Sequence, residues 1–361
     1  MLLYLGITLF LLIILVFSIV EFKDDFGLKK KGRIFFSNYL HKILFIAIVF
    51  FLWFLTAFRS GNIGNDTQNY LNYYENIAKD GITKNLSIEF GYQIYCWLLS
   101  RIFSNPYFLL VISATICYSI SAIYIYKHSK NILFSTILLF CVAFSFFTSG
   151  LRQALAMVIV LIAYYKIKEG KKILPIALIL VASTFHISAL ITFLWFGHKF
   201  IFKKPLWVIA SASVLIILSA SGLLNNLLKL ILKEYEGYFN SEYAGSGWLG
   251  ISYYTMRALI FYLFTYIAYS EKEKEESLAI SNSIFLLLIV CLGFSVNSFD
   301  RASLYFLLIT VIELTNTFYS GNIKHKSIWM LATGVIMLAY FMVVLWLRPG
   351  WNYLYPFEFM W

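Results

Sequence analysis

ILFIAIVFFLWFLTAFRSGNIGNDTQNY, residues 43–70, joins two chemistries with no transition between them. Ile43–Phe58 is an apolar run broken only by the hydroxyl of Thr56. Arg59–Tyr70 then brings a guanidinium (Arg59), a carboxylate (Asp66), Gly61, Gly64, Thr67 and the amides of Asn62, Asn65 and Asn69. The first half has the length and composition of a membrane helix. Polar groups packed so densely beside it are costly unless they face water or a polar ligand. Gly61 and Gly64 let the backbone turn tightly. Asn62, Asn65, Asp66 and Thr67 can fold back on the backbone or cap a following helix. The stretch therefore reads as a membrane helix delivering a polar site at its end.

Working outward, the same apolar signal recurs along the whole chain. Of 361 residues, 61% are hydrophobic and 13% charged, whereas soluble domains are about half apolar and a quarter charged. Apolar runs cover residues 2–20, 42–58, 107–126, 131–148, 151–166, 173–185, 187–202, 206–222, 253–270, 278–297, 302–319 and 327–347. These predict an all-α polytopic membrane protein with about 12 transmembrane helices, in a range of about 10–14. The intervals between them are too short for a soluble domain, so residues 1–361 read as a single transmembrane domain. Residues 59–105 form an outer loop with a short interfacial or re-entrant helix at Glu89–Phe103. Residues 223–252 form a second outer loop, amphipathic at first and Gly/Ser-rich at its end, with the character of a lid. The two runs flanking His186 are short and predict a bend there.

The first run, Leu2–Val20, lacks a basic flank and a small-residue cleavage site and reads as a retained helix. Cys96, Cys117, Cys141 and Cys291 stand alone, without metal-ligand spacing or a disulfide framework. No metal or other cofactor is expected. The net charge of +11 does not point to nucleic acid, because the lysines lie in short loops between apolar runs, as membrane topology demands.

With residues 21–41 in the cytoplasm and sides alternating from there, KDDFGLKKKGR, KHSK, KIKEGKK, HKFIFKK and EKEKEE all fall inside. Both termini then fall outside. Arginine breaks this pattern. Only Arg33 lies in an inner segment; Arg59, Arg101, Arg152, Arg257, Arg301 and Arg348 fall at the outer side. A guanidinium offers phosphate a planar, bidentate, permanently charged fork, so an outer arginine cluster suggests an anionic lipid head group.

Five groups can carry chemistry. Arg59, Asp66 and Glu89 read either as a solvated outer loop or as an acceptor or phosphate site. In SGLRQA, Arg152 is either a snorkelling interfacial arginine or a phosphate contact; the donors of Gly150 and Gln153 beside it favour the second. His186 in STFHISAL is either a structural hydrogen-bonder or a base, since it titrates near neutrality. Asp300 and Arg301 in NSFDRASLYF can neutralise each other or orient the ligand. The tail RPGWNYLYPFEFMW reads as an interfacial aromatic belt with Arg348 as a further phosphate-binding candidate.

Taken in order, FRSGNIGNDTQNY, EFGYQIYCWLLSRIF, SGLRQALAM, STFHISAL and FDRASLYF resemble the EpsG/Wzy-like family of bacterial polysaccharide polymerases. The resemblance spans residues 50 to about 310, with the tail in keeping. It implies a C-type glycosyltransferase fold in the bacterial cytoplasmic (inner) membrane, with the active site on the outer face. The implied reaction joins undecaprenyl-pyrophosphate-linked repeat units into exopolysaccharide, capsule or O-antigen. The implied partners are those lipid-linked glycans, membrane lipid, a flippase and a chain-length regulator. On this reading His186, Asp66 or Glu89 is the base, and Arg59, Arg152, Gln153, Asp300, Arg301 and Arg348 surround the pyrophosphate. The other class to weigh is a flippase or transporter of lipid-linked oligosaccharide. It would place charges along a midplane pathway, and the apolar runs are nearly free of them.

Overall fold

The computed structural model describes residues 1–20, 31–83, 88–223, 226, 248–293, 298–320, 323–351 and 353–361. Among these, the side chains of 20, 31–38, 248–253, 271, 272, 275, 298, 300 and 351 are left out of the description. Most of the 223–252 loop falls outside it. The described secondary structure is helical, apart from an isolated antiparallel bridge between Arg59 and Phe359.

Each apolar run of the sequence corresponds to helix. Five helical stretches are long and apolar enough to cross a membrane: Leu2–Ile19, Tyr39–Ala57, Tyr107–His128, Ile132–Ser149 and Lys326–Leu347. Ile173–Phe185, Ile187–Phe200, Pro205–Ala220 and Leu278–Leu292 are shorter apolar helices. A chain this apolar forms helices because each one satisfies its own backbone where no water can. The protein is membrane-embedded on that evidence. Local signals place the ends: the Asn131 side chain accepts from Phe134 N at 3.0 Å, and Pro205 opens its helix where no amide donor is needed.

The chain divides into two compact units. One comprises Met1–Ile162, Ala177–Ala189 and Lys324–Trp361; the other comprises Ala163–Ile176 and Leu190–Ile323. In the first, Ile132–Ser149 is the most enclosed of the long helices, 83% buried against 33–44% for the others. A π-helical turn, Phe140–Phe144, interrupts it. Contacts in this unit sort by end. At one end the Phe17 and His41 rings lie 5.2 Å apart, Lys42 sits over the Tyr126 ring, and Asn131 Nδ2 donates to Ser18 O at 3.3 Å. At the other end lie the Arg59 loop, Glu89, Thr148–Arg152, Thr184–Ile187 and the tail.

The tail differs from the interfacial belt expected of it. Ser60 N donates to Glu358 O at 2.9 Å and Met360 N to Phe58 O at 3.1 Å, so residues 358–360 run antiparallel to the Arg59 loop. Asn62 Nδ2 donates to the Glu358 carboxylate at 3.1 Å. Trp361 stacks on Phe359 and meets Phe54 and Phe58. Tyr353 and Tyr355 are exposed, as a belt would have them.

In the second unit, the helix Ser298–Phe318 carries Glu313, a buried carboxylate inside a stretch that reads as apolar. Lys168 Nζ donates to it at 2.7 Å and Tyr165 Oη at 3.3 Å. Because Glu313 is only 3% exposed, losing its cation strands a buried acceptor. Lys168→Met is expected to destabilise the protein by about 1–3 kcal/mol, read as a thermal shift in detergent. Adding Glu313→Gln should recover most of that loss; a double variant no better than the single one sinks the pairing argument.

Candidate active site

The site is built where several helix ends meet within one unit. The Arg59 loop leaves the helix Lys31–Ala57 and enters the helix Thr67–Asp80. Gly64 has φ +89°, a conformation side chains resist. A Cβ there would lie 2.8 Å from Thr148 O and 3.0 Å from Ser149 Cα. The loop therefore rests directly on the backbone break between Ile132–Ser149 and Leu151–Lys168. Thr67 Oγ1 reinforces the turn by donating to Ile63 O at 2.5 Å. Asp66 occupies the N-cap position of its helix, but its side chain makes no capping hydrogen bond. Its half-buried carboxylate therefore remains available for other work.

Arg59 is fully buried. Its Nη1 donates to Thr56 O, and its Nε to Thr67 Oγ1 at 3.4 Å. Its Nη2 has no hydrogen-bond partner among the described residues, and no carboxylate there lies within ion-pair distance of it. Burial lowers its pKa to about 10, opposed by the hydroxyls of Tyr118, Tyr70 and Tyr92, so it remains a cation at neutral pH. A buried cation without a counter-ion is costly; the arrangement makes the surroundings electropositive.

Arg152 stands in the first turn of Leu151–Lys168 and donates from Nη1 to Glu89 Oε2 at 2.5 Å. Glu89, grouped with Arg59 by nearness in sequence, belongs to this second arginine. Its other oxygen accepts from Ile187 N at 3.3 Å, which ties it to the break beside His186. His186 Nδ1 lies 2.9 Å from Ser188 Oγ. Gly91 makes this closeness geometrically feasible: a Cβ there would stand 2.1 Å from Thr184 Oγ1 and 2.9 Å from Thr184 O. Gln153 follows Arg152 and is buried.

Tyr70 links the two arginines. Its phenol faces the Arg152 guanidinium and lies near Arg59, and its ring meets Tyr92 at 5.8 Å. Burial and the nearby charge of Asp66 raise its pKa, with Arg152 opposing them. The phenol thus stays protonated at neutral pH and can donate a hydrogen bond.

The first unit therefore gathers Arg59, Asp66, Glu89, Arg152, Gln153 and His186. Arg348 belongs to it too, exposed at the C-cap of Lys326–Leu347. Asp300 and Arg301 belong to the second unit. Arg301 is exposed in the first turns of Ser298–Phe318, and the side chain of Asp300 lies outside those described. Sequence reasoning passed over Tyr70, and it gave Thr67 only the role of folding back on the backbone or capping a helix. Tyr70 ends the opening polar stretch, but one tyrosine among 26 carries no mark of its own. Among the described residues no cluster of His, Cys, Asp and Glu could hold a metal ion.

A family model described as EpsG family matches residues 42–359, which takes in every segment of this cluster and most of the tail. The chain belongs to the EpsG family. Neither a curated protein nor a solved structure matches it. The EpsG match begins within the helix that delivers Arg59 and ends at Phe359, its bridge partner.

Proposed function

We propose that this EpsG chain is a membrane glycosyltransferase that polymerises lipid-diphosphate-linked oligosaccharide repeat units. The observation that carries the reading is the pair Arg59 and Arg152 around Tyr70, with Arg59 a buried cation that no described carboxylate balances. Such a field suits a ligand with concentrated negative charge, and a diphosphate is that ligand in a membrane polymerase. Arg152, part-exposed, is the group that reaches the diphosphate. Arg59 supports it through the field and holds the loop.

In the proposed reaction an acceptor hydroxyl attacks the anomeric carbon of the lipid-linked donor. The bond from that carbon to the diphosphate breaks, and its electron pair leaves with the diphosphate. Arg152 and the Tyr70 hydroxyl stabilise the charge that builds there. The acceptor proton passes to one of Glu89, Asp66 or His186, all at this end of the unit. Direct displacement inverts the anomeric centre. The lysine pattern supports an outward-facing site, which this reading sets in the bacterial inner membrane. About 12 spans and a C-type glycosyltransferase fold go with this proposal, as do undecaprenyl pyrophosphate as the lipid and exopolysaccharide, capsule or O-antigen as the product.

The test is reconstitution of the full chain with purified lipid-linked repeat units. A ladder of lengthened glycans is expected. Movement of the lipid across the bilayer without lengthening would replace the polymerase by a flippase.

A further inference from the structure

We infer that Glu89 is a substrate-displaced latch on Arg152, so that the diphosphate must bind before the acceptor is activated. The inference rests on the diphosphate reading above and adds an order of events to it.

Glu89 spends its two oxygens on different elements. One takes Arg152 Nη1 at 2.5 Å, and the other takes Ile187 N at 3.3 Å. A carboxylate on a guanidinium fork stands where a phosphate oxygen would stand, because both anions use the same planar donors. Arg152 is thus liganded by its own chain. The guanidinium also faces the Tyr70 phenol, and its Nε, enclosed by the protein, has no hydrogen-bond partner among the described residues.

Exposure separates this pair from a structural one. The side chains of Arg152 and Glu89 are 25% and 21% exposed, so water and a ligand can reach both. Glu313, paired with Lys168, is 3% exposed and enclosed. What one charge-assisted bond to the carboxylate loses, bonds from the same guanidinium to a more highly charged diphosphate replace. A displaced Glu89 remains tethered by the Ile187 amide beside His186. There it accepts the proton of the acceptor hydroxyl as the acceptor oxygen bonds to the anomeric carbon and the diphosphate departs with its electron pair. Before the diphosphate arrives, that carboxylate is held by Arg152, and a lone acceptor does not find it free.

The experiment titrates inorganic pyrophosphate, without added metal, into the detergent-solubilised full chain by calorimetry. Wild type, Glu89→Gln and Glu89→Ala are compared, each checked for a wild-type melting profile. Glu89→Gln keeps an acceptor for the Ile187 amide while removing the competing charge. Both variants are expected to bind pyrophosphate about tenfold more tightly than wild type, while glycan lengthening is lost. Equal or weaker binding in both variants, with wild type binding, overturns the latch and leaves the diphosphate reading standing. No binding by any of the three overturns both.

Discussion

Arg152→Ala is expected to slow glycan lengthening by about 100- to 1000-fold at wild-type protein level. Two losses combine in it. The variant removes the donor that stabilises negative charge on the leaving diphosphate, an interaction made most strongly as the bond breaks. It also removes the planar fork that holds the donor's diphosphate. Arg152→Lys separates the two, since it restores the charge without the planar fork. It should recover part of the rate and leave a raised requirement for donor. The measurement is initial lengthening rate against donor concentration in proteoliposomes. An alanine variant that retains a third or more of wild-type rate would remove Arg152 from the proposed chemistry.

Gly64→Ala should cost about 2–4 kcal/mol of stability, and activity should fall with it. The methyl group meets two obstacles. The backbone is at φ +89°, and Thr148 O and Ser149 Cα stand 2.8 and 3.0 Å away. Neither is the movable end of a side chain, so the loop itself must lift. Lifting it draws Arg59 and Thr67 off the Thr148–Arg152 break that positions the second arginine. Gly81→Ala is the matched control. It has φ +78° and ψ −167° with nothing within 4 Å of the added Cβ, so it carries only the conformational strain, about 1–3 kcal/mol. Thermal melting in detergent distinguishes them; equal shifts for the two variants would show that the Gly64 contact is unimportant.

Much of the architecture was legible because membrane helices are a local property. A run such as Ile43–Phe58 must hide its backbone whatever surrounds it, and the runs flanking His186 announced their own break. The Gly64 turn was visible as a glycine in a polar loop, though not the contact it serves. The candidate residues of the first unit were visible as types, because arginine, carboxylate and histidine stand out against an apolar chain. Their pairing was not. Glu89 lies nearer in sequence to Arg59 than to Arg152, and the ion pair runs to the latter. The Glu358 contact to Asn62 spans almost the whole chain, and nothing in the composition of the tail separates a strand-like clamp from a lipid-facing belt. Glu313 was passed over because one acid in a long apolar helix hardly changes its mean hydropathy.

Hydropathy and the placement of lysine and arginine, both read along the chain, determined that this is a helical membrane protein with cationic loops, and five short motifs in order carried its resemblance to the EpsG family. Only tertiary structure decided which loops share an end, that Arg59 is sealed while Arg152 stays open, and that the tail closes over the first of them. The physical reason is one of range. Burying a helix depends on the few residues beside it, whereas an ion pair or a backbone bridge exists only where distant segments are brought within about 3 Å of each other.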